Sequence, residues 1–317
     1  MISMIRNKYL TLIGVGLLFT AVSCTDGYEP EPVELVSIDF VFSKTDSLGT
    51  NAVKFMNNIY ATLQNGHNRV GSDYLDAASD DAISINVSDP DVYKLAMGRY
   101  TASTRVESDM RWKEYYSGIR KANILINHID VVPFMLTYKN AKGETKPLNY
   151  TMKAEARFLR AHFYFELVKR YGGVPIITTP DYDYTKVKRG TFGECARQIL
   201  ADCQAAIDIP TVEEWGWRSL DKENYRHVMT KAICAAIRSQ ISLYAASPLY
   251  NDGTITWTEA AEITKKSLDD CLANNYELYK KQPNATAGYS PYDVYFYSRT
   301  DLPVVNDKET IMEVGQM

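Results

Sequence analysis

The fold turns on Glu155-Ala156-Arg157-Phe158-Leu159-Arg160-Ala161-His162-Phe163-Tyr164-Phe165 and the turn after it, Arg170-Tyr171-Gly172-Gly173-Val174-Pro175. Ala154, Phe158, Ala161, Phe165 and Val168 recur at helical steps, which makes one stripe apolar. Leu159, His162 and Phe163 widen that stripe beyond what a surface helix needs. The spacing predicts a helix over residues 153–171 that is buried on most sides. Gly172-Gly173 and Pro175 stop it, since glycine accepts the turn that ends a helix and proline cannot continue one.

Working outward, residues 51–63 place Val53, Met56, Ile59, Tyr60 and Leu63 at helical spacing, with Gly66 as the stop. Residues 107–129 do the same with Trp112, Tyr115, Tyr116, Ile119, Ala122, Ile126 and Ile129, a stripe that reads Trp112 as core. Downstream, Thr191 with Glu194 and Thr256 with Glu259 form capping boxes that open helices reaching Ile207 and Leu272. Between them residues 229–246 carry a further helix, ended by Ser247-Pro248. Antiparallel hairpins are expected: 153–171 with 191–207, and 229–246 with 257–272. Their start-to-start spacing of roughly 30–40 residues is near the tetratricopeptide period. Ala232, Ala235, Ala236, Ala245 and Ala246 let such hairpins approach closely. The remaining stretches, 66–91, 133–149, 171–190, 209–227 and everything after 274, are long for loops, which points to function. Residues 173–177 and 310–314 read as short strands, and the stop at Met317 so soon after the second begins reads as a truncation.

Composition narrows the classes. The chain has 317 residues, 45% apolar and 23% charged, which suits a globular body rather than a disordered or polytopic chain. A net charge of −4 leaves no basic excess for a phosphate backbone, so nucleic acid is excluded as an expected partner. Tyrosine stands out: its 23 residues are about twice ordinary usage, taken as roughly 3%. Cys195, Cys203, Cys234 and Cys271 sit in helix-patterned segments without Cys-x-x-Cys spacing and read as buried free thiols; no metal and no cofactor is expected.

The quoted helix and turn closely resemble the hallmark of SusD/RagB outer-membrane nutrient-binding lipoproteins. Ser79-Asp80-Asp81, the stretch from Tyr115 to Leu125, Thr230-Lys231-Ala232 leading to Leu243-Tyr244, and Asn306 to Ile311 agree with the family and follow its order. The resemblance implies a mainly α fold of tetratricopeptide-like helical hairpins, four pairs in all, with long irregular loops and a few short strands. It implies a glycan-binding lipoprotein that delivers oligosaccharide to a SusC-type TonB-dependent transporter. The alternative is a peptide-binding RagB-type component, or a helical-repeat scaffold that binds protein. Family members run well beyond 317 residues, so part of the ligand-binding half is expected to be missing.

Residues 1–23 read as a signal peptide, with Arg6 and Lys8 ahead of an apolar run too short to span a bilayer permanently. The run closes on Ala21-Val22-Ser23-Cys24, which resembles a bacterial lipobox with Cys24 as the acylated N-terminus; the alternative is a plain signal with a chance cysteine. Residues 24–45, acidic and proline-containing, read as a solvated tether, and 46–317 as the folded domain. Acidic residues just after such a cysteine resemble the export signal of surface-exposed Bacteroidetes lipoproteins, which places the body on the outer membrane facing the medium.

Sugar recognition needs aromatic faces to stack on a pyranose and carboxylates or amides to take its hydroxyls. Asn65, His67, Asn68, Arg69, Asp73, Tyr74, Asp80 and Asp81 offer this within one loop; the opposing reading has Ser79-Asp80-Asp81 tie the loop to the scaffold. Trp215 and Trp217 suit either stacking or burial. Tyr289 and Tyr292, with Tyr295, Tyr297, Asp293 and Arg299, form the densest aromatic stretch. His162 reads as a buried, hydrogen-bonded histidine. Catalytic patterns are missing: there is no His-Glu-x-x-His, Gly-x-Ser-x-Gly or Gly-Lys-Ser/Thr, and Asp181-Tyr182-Asp183 lacks the rest of a calcium loop. Neither an enzyme nor a metal site is expected.

Overall fold

The structure is a computed structural model and describes residues 37–63, 69–70, 73–85, 88, 90–101, 103–104, 106–139, 143–209, 229–280, 290–297 and 308–312. The chain divides into a short N-terminal unit, Met1–Val41, and a large one, Phe42–Met317. Of the first, residues 37–41 are described and hold one helical turn, Ile38–Val41. Cys24 and the signal segment lie outside the described residues. Among the described residues no helix is long and apolar enough to cross a membrane.

Six long helices build the large unit: α1 Thr50–Tyr60, α2 Trp112–His128, α3 Asn149–Tyr171, α4 Phe192–Asp208, α5 Lys231–Ala246 and α6 Trp257–Ala273. They stack in chain order, α2 on α3, α3 on α4, α4 on α5 and α5 on α6, while α1 packs on α2 and α3. Neighbours run antiparallel. Arg160 of α3 meets Asp202 near the end of α4, whereas Val174 just past α3 meets Cys195 at its start. Ser239 of α5 meets Thr264 of α6, and Arg238 meets Ser267. Both expected hairpins are therefore present. The core is centred on α2 and α3, whose Tyr115, Tyr164, Phe158 and Phe163 are among the largest fully buried side chains. Gly118 makes that packing possible, because a Cβ there would overlap the Phe163 ring.

Cap chemistry sets the helix starts. At α4 the box is complete: the Glu194 amide donates to Thr191 Oγ1 at 3.1 Å and the Thr191 amide to Glu194 Oε2 at 2.8 Å. At α6 only half of it forms, since Thr256 caps Glu259 but the Glu259 carboxylate is held by Arg197 instead. Cys195, Cys203 and Cys234 are buried, Cys271 is half-buried, and all four are free thiols.

Several expectations change. The helix foreseen over 107–129 is two pieces, Glu107–Met110 and α2, broken at Arg111, whose φ of 32° is left-handed. The break is fixed from outside: Arg170 pairs with Asp109 at 2.7 Å and the Tyr171 hydroxyl donates to the Met110 carbonyl at 2.5 Å. Trp112, at the first position of α2, is not core; it is 39% exposed, with its ring against Tyr116 and Tyr171. His162 is half-buried between Phe158 and Phe163, and burial lowers its pKa, so aromatic rings replace the expected hydrogen bond. Residues 173–177 form no strand beyond a single bridge, Pro175 with Arg189. The segments expected as loops contain two small antiparallel hairpins, β1 Arg69–Val70 with β2 Asp73–Tyr74 and β3 Thr137–Lys139 with β4 Thr145–Pro147, and the short helix Pro291–Tyr297; a second short helix, Pro90–Ala96, starts at the end of the 66–91 segment and runs past it.

Candidate functional site

The turn after α3 is a half-buried polar knot that fixes one long loop to the helices. Gly172 adopts φ 69°, and a Cβ on Gly173 would overlap the Gly190 carbonyl, so both glycines are required. The Gly190 amide donates to the Val174 carbonyl at 3.1 Å, and Arg189 donates to the carbonyls of Tyr171 and Gly173. From beneath, the Tyr116 hydroxyl donates to the Pro175 carbonyl at 2.7 Å, and the Tyr164 hydroxyl accepts the Ile177 amide at 2.6 Å while donating to its carbonyl. Burial drives both phenols well above their usual pKa, so they act as neutral hydrogen-bonding groups. Arg160, 4% exposed, grips Asp202 with two bonds at 2.8 and 2.5 Å and donates to Asn123 Oδ1 at 2.7 Å and the Thr178 carbonyl at 3.1 Å. Asn123 in turn donates to the Ile177 carbonyl at 3.0 Å. These charges are paired and their donors used, which is the condition for burying them. These bonds tie the hallmark sequence into the frame.

A second buried link joins distant segments. The Tyr60 hydroxyl donates to Glu155 Oε2 at 2.8 Å and accepts the Met229 amide at 3.0 Å, tying α1 and α3 to the approach of α5. Burial, opposed by the Tyr60 hydrogen bond, pushes the Glu155 carboxyl up to about 7.

Beyond the end of α3 lies a loop-rich lobe, residues 69–110, with a small core of its own. Val70, Ala77, Val92 and Val106 are buried together, with Leu95 against them. This core gathers Arg69, Asp73, Tyr74, Asp80 and Asp81, all named from sequence, into one lobe, joined to α3 by the Asp109 and Met110 contacts above. Tyr74 is 46% exposed, and Asp80 and Asp81 face solvent. Asp73 is half-buried and accepts the Ser84 hydroxyl. Ser79 closes a local turn, its hydroxyl donating to the Asp76 carbonyl at 2.8 Å and to Asp81 Oδ2 at 3.2 Å.

Two exposed rings and a cation in this lobe escaped the sequence reading. Tyr93 is 38% exposed with the Arg99 guanidinium 5.7 Å from its ring centre, and Tyr100 is 49% exposed. The available signal was Val92 with Leu95, an inward pair at i, i+3 that turns Tyr93 outward on the short helix. Tyr292 lies elsewhere, strongly exposed on the helix Pro291–Tyr297, which Ser290 and Asp293 cap and which is seated by Tyr295 on Tyr279. Trp215, Trp217 and Tyr289 lie outside the described residues. Asp183 bonds Thr185 and Lys186 rather than joining a ligand set, and among the described residues no His, Cys, Asp and Glu cluster suits a metal ion.

A stack of antiparallel helix pairs carrying an aromatic, acidic lobe at the end of its central helix defines a helical-repeat scaffold. The chain belongs to the SusD-like family: the family described as starch-binding and associating with the outer membrane matches residues 44–244, which span α1 to α5 and the whole lobe. It is similar to SusD-like protein P38 of Formosa agariphila, 26% identical over 244 residues, covering 76% of this chain and 42% of that protein. Among solved structures it resembles a SusD-like protein of Bacteroides fragilis, with TM-score 0.63 and 22% identity over 90% of this chain and 47% of the other. It also resembles a laminarin-binding SusD-like protein, with TM-score 0.57 and 18% identity over 83% and 50%, and surface glycan-binding protein A of Bacteroides fluxus, with TM-score 0.56 and 20% identity over 83% and 50%. The chain thus spans about half the length of these relatives.

Proposed function

We propose that this chain belongs to a cell-surface lipoprotein, anchored through Cys24 to the outer membrane, that binds oligosaccharide and passes it to a SusC-type TonB-dependent transporter without chemistry of its own. The observation that carries this reading is the lobe: exposed Tyr74, Tyr93 and Tyr100 stand with Asp80 and Asp81 on a rigid frame, in a chain of the SusD-like family. Flat faces with carboxylates beside them suit the apolar side of a pyranose and its hydroxyl rim. Two structural relatives named for laminarin and glycan binding support the same ligand class.

Isothermal titration against a panel of neutral oligosaccharides and peptides tests it. Heat with a sugar, weakened about threefold to tenfold in Tyr93→Ala and Tyr100→Ala, is expected. Binding of peptides alone would move the chain to the peptide-binding branch. Loss of palmitate labelling and membrane retention in Cys24→Ala is the expected result for the anchor.

A further inference from the structure

Five arginines of the frame hold acidic partners: Arg157 and Arg160 meet Asp202, Arg170 meets Asp109 and Glu166, Arg197 meets Glu259, and Arg238 meets Asp270. Two arginines at the rim of the lobe do not. Among the described residues, the Arg99 and Arg111 guanidiniums make no ion pair or hydrogen bond; each lies over a tyrosine ring, Arg99 5.7 Å from the centre of Tyr93 and Arg111 5.9 Å from that of Tyr115. A ring face positions a guanidinium without neutralising it, so both forks keep their N–H donors and their charge. Two acids of the same stretch, Asp91 and Asp109, are already held by Lys94 and Arg170.

The two cations belong to one track. The Tyr100 hydroxyl reaches Met110 Sδ at 3.8 Å, which sets Arg99-Tyr100 beside Met110-Arg111. Exposed rings stand along it: Tyr93, Tyr100 and, directly after Arg111, Trp112 braced on Tyr116 and Tyr171. Arg111 is half-buried and keeps its left-handed φ of 32° because Arg170 and Tyr171 hold Asp109 and Met110 before it. Strain of that kind gathers at ligand clamps.

We propose, resting on the glycan reading above, that this track selects an acidic sugar. The Arg111 fork receives a carboxylate or sulfate ester carried on the sugar, Arg99 supplies a second cation, and Tyr100 and Trp112 offer faces to the sugar rings. Charge-assisted bonds from a planar fork are about twice as strong as neutral ones, so the anion decides which glycan is held.

Isothermal titration with hexuronate and sulfated oligosaccharides, each beside its methyl-esterified or desulfated neutral form, tests this. At least one acidic sugar is expected to bind about tenfold tighter than its neutral form, with the difference shrinking as salt rises. Which arm responds distinguishes a carboxylate from a sulfate. Arg111→Asn, a residue that accepts left-handed backbone, should remove most of the difference, and Arg111→Lys should restore part of it. Arg120→Gln, roughly two turns further along α2, should leave it intact. Equal affinity for acidic and neutral forms, or a preference that survives Arg111→Asn, overturns the inference while the glycan reading stands. Failure of every sugar to bind, acidic or neutral, overturns both.

Discussion

The frame around α3 and the lobe of residues 69–110 are stabilised in opposite ways. In the frame, buried groups reach partners far along the chain: Arg160 finds Asp202, Asn123 finds Ile177, and Tyr60 finds both Glu155 and Met229. In the lobe the polar bonds are mostly short-range. Ser79 bonds Asp76 and Asp81, and Thr101 and Thr104 bond each other. Its core has four buried residues of small or medium size, and its aromatic rings point to water. A region held by local turns opens at low free energy and tolerates replacement, while one held by interlocked long-range contacts does not. The molecule separates a part held by long-range contacts from a part held by local turns.

That contrast breaks most visibly at Arg160. Arg160→Ala strands a buried Asp202 charge and should cost about 3–5 kcal/mol in urea unfolding, most of it recovered when Asp202 is also replaced by leucine. A loss under about 1 kcal/mol would mean the knot is peripheral to the frame. The next effect is a pH dependence at Glu155. The unfolded carboxyl loses its proton near its ordinary pKa of 4.5, while the folded one holds it to about 7, so the folded state binds more protons between these values. Stability from this group is full below about pH 4.5 and falls as pH rises through about 7, by up to about 3 kcal/mol. Glu155→Gln should track wild type at low pH and exceed it at about pH 8; parallel curves across that window would show that the group is not buried as described. The smallest change belongs to the lobe: Tyr93→Ala and Asp80→Ala should shift stability by no more than about 0.5 kcal/mol. A larger melting shift would place these side chains in the lobe's support and sharpen the boundary between the two regions.

The frame was legible because its signals are local. The stripe from Ala154 to Val168, the Thr191–Glu194 box and the Gly-Gly-x-Pro stop each need only a few residues of context. Arg111 was not legible, since arginine has no preference for the left-handed region and its turn is imposed by Arg170 and Tyr171, some 60 positions away. Trp112 fits the apolar period, but it opens α2, and there the packed face has run out of neighbours on one side. Nor does any periodicity announce that Tyr60 and Glu155, 95 residues apart, share a proton-holding contact. In the candidate site, Arg69, Asp73, Tyr74, Asp80 and Asp81 were named from the residue types that one loop holds, Asp80 and Asp81 also from the family resemblance. Tyr93 was passed over because a seven-residue helix carries too few apolar positions to stand out from a loop, and Tyr100 because it lies beyond that helix, where no periodicity marks it.

The inward commitment of the Gly172-Gly173-Val174-Pro175 turn has one further consequence. The carbonyls of Gly173, Val174 and Pro175 accept from Arg189, Cys195 and Tyr116, so the turn is spent on holding the frame together. Two proteins that share this signature share a chassis, and the signature by itself does not say what either one binds.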